Sequence, residues 1–205
     1  MPSSPDRGQA WVAVAAGLAL GAVLAFRADP ASLEWQPALA AREPWRALTA
    51  PLVHYSALHL VANLVGAGLV AALGRVARVP TRTVVAWLIA MPLTQLGLLA
   101  RPDLLHYGGL SGVLHAGVAC AAWHLVADGR GARRTIGALT LAGVAFKVLF
   151  EAPWGPALRH PAGWDIATAP FAHATGLVAG LAAAAACDVA AWVRAGRARM
   201  RVDAL

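Results

Sequence analysis

Six stretches of mostly apolar residues, at about 10–26, 57–73, 84–100, 111–127, 135–150 and 173–193, constrain this chain more than any other feature of it. A helix of roughly 20 apolar residues crosses the hydrocarbon core of a bilayer. Of the 205 residues, 59% are hydrophobic and 13% are charged, against about a quarter charged in ordinary soluble domains. That balance argues against a soluble enzyme and against a disordered chain. Two cysteines, Cys120 and Cys187, lie inside apolar stretches, so no disulfide scaffold is expected and both are read as small packing residues. The expected fold is an all-α integral membrane protein, a compact six-transmembrane-helix bundle, with a single domain over 1–205. Residues 1–9 form an N-terminal tail, 10–193 the core and 194–205 a basic C-terminal tail. The first stretch is read as a span rather than a signal peptide, because no small-x-small cleavage site follows it before Asp29.

The net charge of +7 reflects 17 basic residues against 10 acidic ones, and Lys147 is the only lysine. With six crossings, Arg7, Arg75, Arg78, Arg82, Arg130, Arg133, Arg134, Arg194, Arg197, Arg199 and Arg201 fall on one side. Arg27, Arg42, Arg46, Arg101 and Arg159 fall on the other. The positive-inside rule then places both termini in the cytoplasm. The basic loops read as topology signals facing membrane lipids rather than a nucleic-acid surface, since they are short and carry no interleaved aromatics to stack on bases. Trp11, Trp87, Trp123 and Trp192 sit near span ends, where indoles favour the headgroup region. The longest connections, 28–56 and 151–172, lie on the outer side and carry Trp35, Trp45, Trp154 and Trp164 with many prolines.

Polar groups at membrane depth are costly and point to function. The second span opens with His54, His59 and Asn63, the last two sharing a helix face at i, i+4. The fourth opens with Gly109, Ser111 and Gly112 and carries His115 one turn later. The sixth opens with His173, Gly176 and Gly180. Spans two, four and six run in the same direction, so these openings meet at one depth. All lie near helix N-termini, where free N–H groups favour an anion. A hydroxyl near an imidazole, beside such donors, has the logic of acyl transfer. Ser111 is the candidate nucleophile, His173 the base, and His59, Asn63 and the Ser111 N–H the oxyanion donors. Gly109 and Gly112 permit a tight turn around Ser111. Gly176 and Gly180 form a small-xxx-small face that lets the sixth span approach the fourth. No carboxylate has an evident place behind His173, so a dyad is expected rather than a triad. Taken alone, Ser111 also suits a helix N-cap.

The ordered set Trp45-Arg46, His54-x4-His59-x3-Asn63, Gly109-Leu110-Ser111-Gly112 and His173-x2-Gly176-x3-Gly180 resembles the rhomboid intramembrane serine proteases. Tyr107 to His115, the run from Lys147 to Glu151, and Ala172-His173 look most like the rhombosortase branch. The resemblance implies a rhomboid-like bundle in the bacterial inner membrane with its active site opening to the periplasm. It implies Ser111 as nucleophile, His173 as base, and His59 and Asn63 in the oxyanion hole. It implies substrates that are exported transmembrane proteins carrying a C-terminal Gly-Gly motif, an apolar helix and a basic tail. No cofactor or metal is expected.

Lys147 and Glu151 are i, i+4 on the fifth span, and are read either as an ion pair or as residues that shape the cavity or touch substrate. His54 is expected to organise the outer loop with Trp45 and Arg46. The role of His115 stays open. His124 is expected to be structural, His106 and His160 solvated, and Asp188 paired with a nearby arginine. Three alternatives compete: a general rhomboid-like protease with other substrates, a metal or haem transporter using His54, His59, His106, His115 and His173, and an inactive relative that binds transmembrane helices.

Overall fold

A computed structural model describes residues 8–202. The tail through Arg7 and residues 203–205 lie outside the described residues, as do the side chains of Arg197, Arg199 and Arg201. The helices are α1 (Gln9–Ala25), α2 (Pro30–Leu33), α3 (Arg46–Thr49), α4 (Ala57–Ala77), α5 (Thr81–Gly97), α6 (Ser111–Asp128), α7 (Ala132–Phe150) and α8 (Pro170–Val202). The six long ones match the six apolar stretches. Three segments, Ala57–Ala77, Thr81–Ala100 and Pro170–Gly196, are long and apolar enough by themselves to cross a membrane, and Gln9–Ala25 is a shorter apolar helix. Histidines dilute α6, and Arg133, Arg134 and Lys147 dilute α7. Among the described residues, strand-like pairing is confined to two isolated bridges, Trp35 with Tyr107 and Arg159 with Thr168.

Local chemistry sets the helix ends. The Ser56 hydroxyl caps α4 by accepting the His59 N–H at 3.1 Å. At its other end Arg78 adopts a left-handed conformation with φ 52°, and the Val79 N–H returns to the Gly74 carbonyl. α8 continues past the expected end at 193 to Val202. Hydropathy marks the apolar part of a helix, whereas Ala and Arg prolong the helix itself because both are good helix formers. The same reason starts α7 at Ala132, ahead of the expected 135.

α6 lies at the centre, packed by α8, α7, α5 and α4, with Val113, Ala116, Ala119, Cys120, Ala121 and Ala122 all buried. Inside a bilayer, lipid tails are as apolar as leucine, so helices associate by close packing of small residues rather than by escape from water. A Cβ placed on Gly176 would collide with the Gly112 carbonyl oxygen, and one on Gly180 with the Ala116 backbone. The small face expected on the sixth span is therefore the seam between α6 and α8.

Two tryptophans correct the expectation of a headgroup position. Trp11 and Trp87 are fully buried and stack with ring centroids 4.3 Å apart. Their indole N–H groups donate to the Val70 and Val113 carbonyls, both at 2.8 Å. Trp123 turns inward to donate to Asp188 at 2.9 Å, and Trp192 is the one of the four that is largely exposed. Glycines made the difference, because side chains at Gly74 and Gly117 would occupy the space of the Trp11 and Trp87 rings. A buried indole whose N–H meets a carbonyl is satisfied without water. Trp11→Ala is expected to destabilise the fold by about 3–5 kcal/mol, read as unfolding free energy in a detergent titration.

Near the ends of α5, α6 and α8 remote from Ser111, the Arg82 guanidinium pairs with Asp128 and, at 2.7 Å, with Asp188. His124 meets Asp128 at 2.9 Å. This cluster ties α5, α6 and α8 together and gives Asp188 its expected arginine.

Candidate active site

The turn ahead of α6 is held from outside. Trp35 and Tyr107 exchange backbone hydrogen bonds of 2.7 and 2.8 Å, and the Gly109 N–H donates to the Ala50 carbonyl at 3.0 Å. Gly109 has φ +133°, and a Cβ there would sit 2.7 Å from His59 Nε2, so the position excludes any side chain. α6 begins at Ser111 with Leu110 as the capping residue, and no side chain caps it. The Ser111 hydroxyl is therefore not spent on a cap. It lies 3.0 Å from His173 Nε2, in the first turn of α8.

The expectation that no carboxylate backs His173 is corrected. Glu151 Oε2 is 2.6 Å from His173 Nδ1. Lys147 Nζ holds the other carboxylate oxygen at 2.8 Å and lies 3.0 Å from His115 Nε2. The His115 ring stacks on His173 with centroids 4.3 Å apart and planes 17° from parallel, and its Nδ1 is 2.7 Å from the Ser111 carbonyl. Glu151 follows the last residue of α7. Its reach to α8 depends on how those two helices pack, which no spacing along the chain encodes.

His54 also differs from its expected role. Its Nδ1 is 3.1 Å from the Leu52 carbonyl, so Nδ1 carries the proton, and Nε2 accepts the Asn63 amide at 3.1 Å. Burial lowers the His54 pKa, against the opposing pull of the Leu52 carbonyl, which suits a neutral acceptor. The Asn63 amide thereby keeps one hydrogen free. Trp45 is half exposed. Arg46 instead binds the first outer connection, donating to the Ala31 and Glu34 carbonyls at 2.8 and 2.9 Å and pairing with Glu43. His59 lies beside Gly109, and its buried Nδ1 has no protein partner.

Tyr107, for which the sequence motifs predict no role, also meets the site. Its hydroxyl donates to the Gly109 carbonyl at 3.2 Å and lies 3.5 Å from Ser111 Oγ. Its place four residues before Ser111 was the available signal. Tyr55, also unassigned, donates to Glu34 at 2.8 Å. Burial, reinforced by Glu34, pushes its phenol pKa up, so it acts as a neutral donor. His106, expected to be solvated, is half exposed and 3.3 Å from the Glu34 carboxylate.

These groups face a cavity of about 1170 Å³. Its polar end holds His59, Asn63, Ser111, Lys147 and His173. Its apolar walls run along α4 through Ala62, Gly66 and Leu69, and along α7 through Gly143 and Val144. α7 packs on α6 and less on α8, leaving the cavity between α4 and α7.

The apolar helical bundle, with Ser111 beside His173 next to a cavity, is that of a multi-pass membrane protein. The rhomboid domain family model matches residues 41–188, which takes in every motif from Trp45-Arg46 to Gly180. The chain belongs to the rhomboid family, a family of intramembrane serine proteases acting on transmembrane substrates, and is a multi-pass membrane protein. No curated protein matches the chain.

Proposed function

We propose that the protein is an intramembrane serine endopeptidase in which Ser111 is the nucleophile and His173 the general base. The observation that carries this reading is the 3.0 Å separation of Ser111 Oγ and His173 Nε2 beside the cavity. Ser111 Oγ attacks the scissile carbonyl carbon as its proton passes to His173 Nε2. In this reading the free Asn63 amide hydrogen, His59 and the Ser111 N–H stabilise the oxyanion. Collapse breaks the C–N bond, and the imidazolium returns the proton to the leaving amine. Water, activated by the same imidazole, then hydrolyses the acyl-enzyme.

The substrate we propose is an exported protein with a C-terminal Gly-Gly pair, an apolar helix and a basic tail, in keeping with the rhombosortase-like stretches. A helical peptide bond hides its carbonyl, and glycine lowers the cost of unwinding it. The apolar walls on α4 and α7 suit an apolar helix, and the cavity's polar end suits the unwound segment. We place the protein in the bacterial inner membrane as one domain with six crossings. Both termini and the arginine-rich ends are cytoplasmic, and the site opens to the periplasm.

The test is co-expression with a reporter bearing that tail, with the new terminus mapped by mass spectrometry. A fragment ending at or next to the Gly-Gly pair is expected, alongside fluorophosphonate labelling of Ser111. Labelling without cleavage would overturn the substrate class. Absence of labelling would overturn the serine mechanism.

A further inference from the structure

Resting on that reading, we infer that Glu151 is the positioning residue that holds the His173 imidazole in the tautomer and orientation that acylation needs, with Lys147 anchoring the carboxylate. The hydrogen count around the site admits one consistent assignment. Lys147 has only hydrogens to offer. His115 Nε2, 3.0 Å from Lys147 Nζ, must therefore be bare, and His115 Nδ1–H donates to the Ser111 carbonyl at 2.7 Å. Glu151 accepts from Lys147 at Oε1 and from His173 Nδ1–H at Oε2, at 2.8 and 2.6 Å. His173 Nε2 is then left bare toward the Ser111 hydroxyl, the state a general base requires.

Lys147 Nζ also lies 3.4 Å from His173 Nδ1. With both atoms carrying hydrogens that approach is no bond. It is a like-charge contact once the imidazolium forms. The carboxylate is nearer, at 2.6 Å, so attraction to Glu151 outweighs repulsion from Lys147 at the moment His173 takes the serine proton. A simple i, i+4 ion pair explains less. The side chains of Lys147 and Glu151 are 48% and 29% exposed, so burial does not force them together, and a pair alone would leave the second carboxylate oxygen unused. The stacked His115 ring supplies the remaining constraint, covering one face of His173 so that it cannot swing from Ser111.

The experiment compares Glu151→Gln, Glu151→Asp and Lys147→Met in the full-length protein in detergent. The readouts are kcat, KM, fluorophosphonate labelling rate and melting temperature, with Ser111→Ala as the inactive control. Glu151→Gln is expected to lower kcat and labelling rate about a hundredfold, with KM within about threefold and melting unchanged. Glu151→Asp, which keeps the charge, is expected to recover about a tenth or more of wild-type kcat, and Lys147→Met to lose about tenfold. Wild-type kcat and labelling in Glu151→Gln would overturn the inference while leaving the protease reading intact. So would equal losses in Gln and Asp accompanied by early melting. A wild-type protein that neither labels nor cleaves would instead defeat the serine mechanism itself.

Discussion

Ser111→Ala is expected to abolish cleavage, with a loss of at least about 10⁴-fold in kcat, while the protein inserts and melts as the wild type does. The two halves of that result have separate causes. Ser111 Oγ contacts His173 Nε2 at 3.0 Å and caps nothing, so removing it subtracts the proposed nucleophile and little else. The Tyr107 hydroxyl still donates to the Gly109 carbonyl, so the turn ahead of α6 keeps its support. His173→Ala is expected to be equally inactive, and the double variant no worse than either, because groups acting as one unit lose activity together. A gel-based cleavage assay beside a thermal melt reads both. Residual cleavage by Ser111→Ala near the wild-type rate would remove the mechanism.

Gly176→Ala is expected to be the most damaging substitution remote from the reacting atoms. One methyl there would land on the Gly112 carbonyl, backbone against backbone, with no flexible side chain to yield. α8 must move away from α6, and His173 one turn earlier moves with it. A displacement of about 1 Å costs on the order of a hundredfold in rate, and overpacking costs about 1–3 kcal/mol of stability. The control is Gly17→Ala in α1, where a Cβ meets nothing within 4 Å. That variant is expected to melt and cleave as wild type. Measuring kcat and melting for both separates a failure of the α6–α8 seam from a general intolerance of helix alanine.

The sequence carried much of the fold because hydropathy and direction of travel are one-dimensional properties. Apolar length located the six long helices, and the shared direction of the second, fourth and sixth stretches brought Ser111 to His173. The i, i+4 spacing of His59 and Asn63 placed them on one helix face beside the cavity. What escaped depends on how helices pack. Glu151 reaches His173 across the junction of two helices. His54 turns to Asn63 instead of Arg46 because the backbone before α4 aims its ring inward. Trp11 and Trp87 stack in the core because glycines on other helices make room. Each case needs two elements at once, and a pattern along one element cannot supply that.

The contact of Gly176 with Gly112 divides the molecule mechanically. Ser111 and His173 ride on two helices joined backbone to backbone, so their separation is set at that seam, with Glu151 at the end of α7 in contact with the imidazole. The other two walls, α4 and α7, line the cavity opposite one another and lie outside that seam. In the proposed reaction a substrate helix would enter between these two walls, apart from the seam that sets the distance from Ser111 to His173.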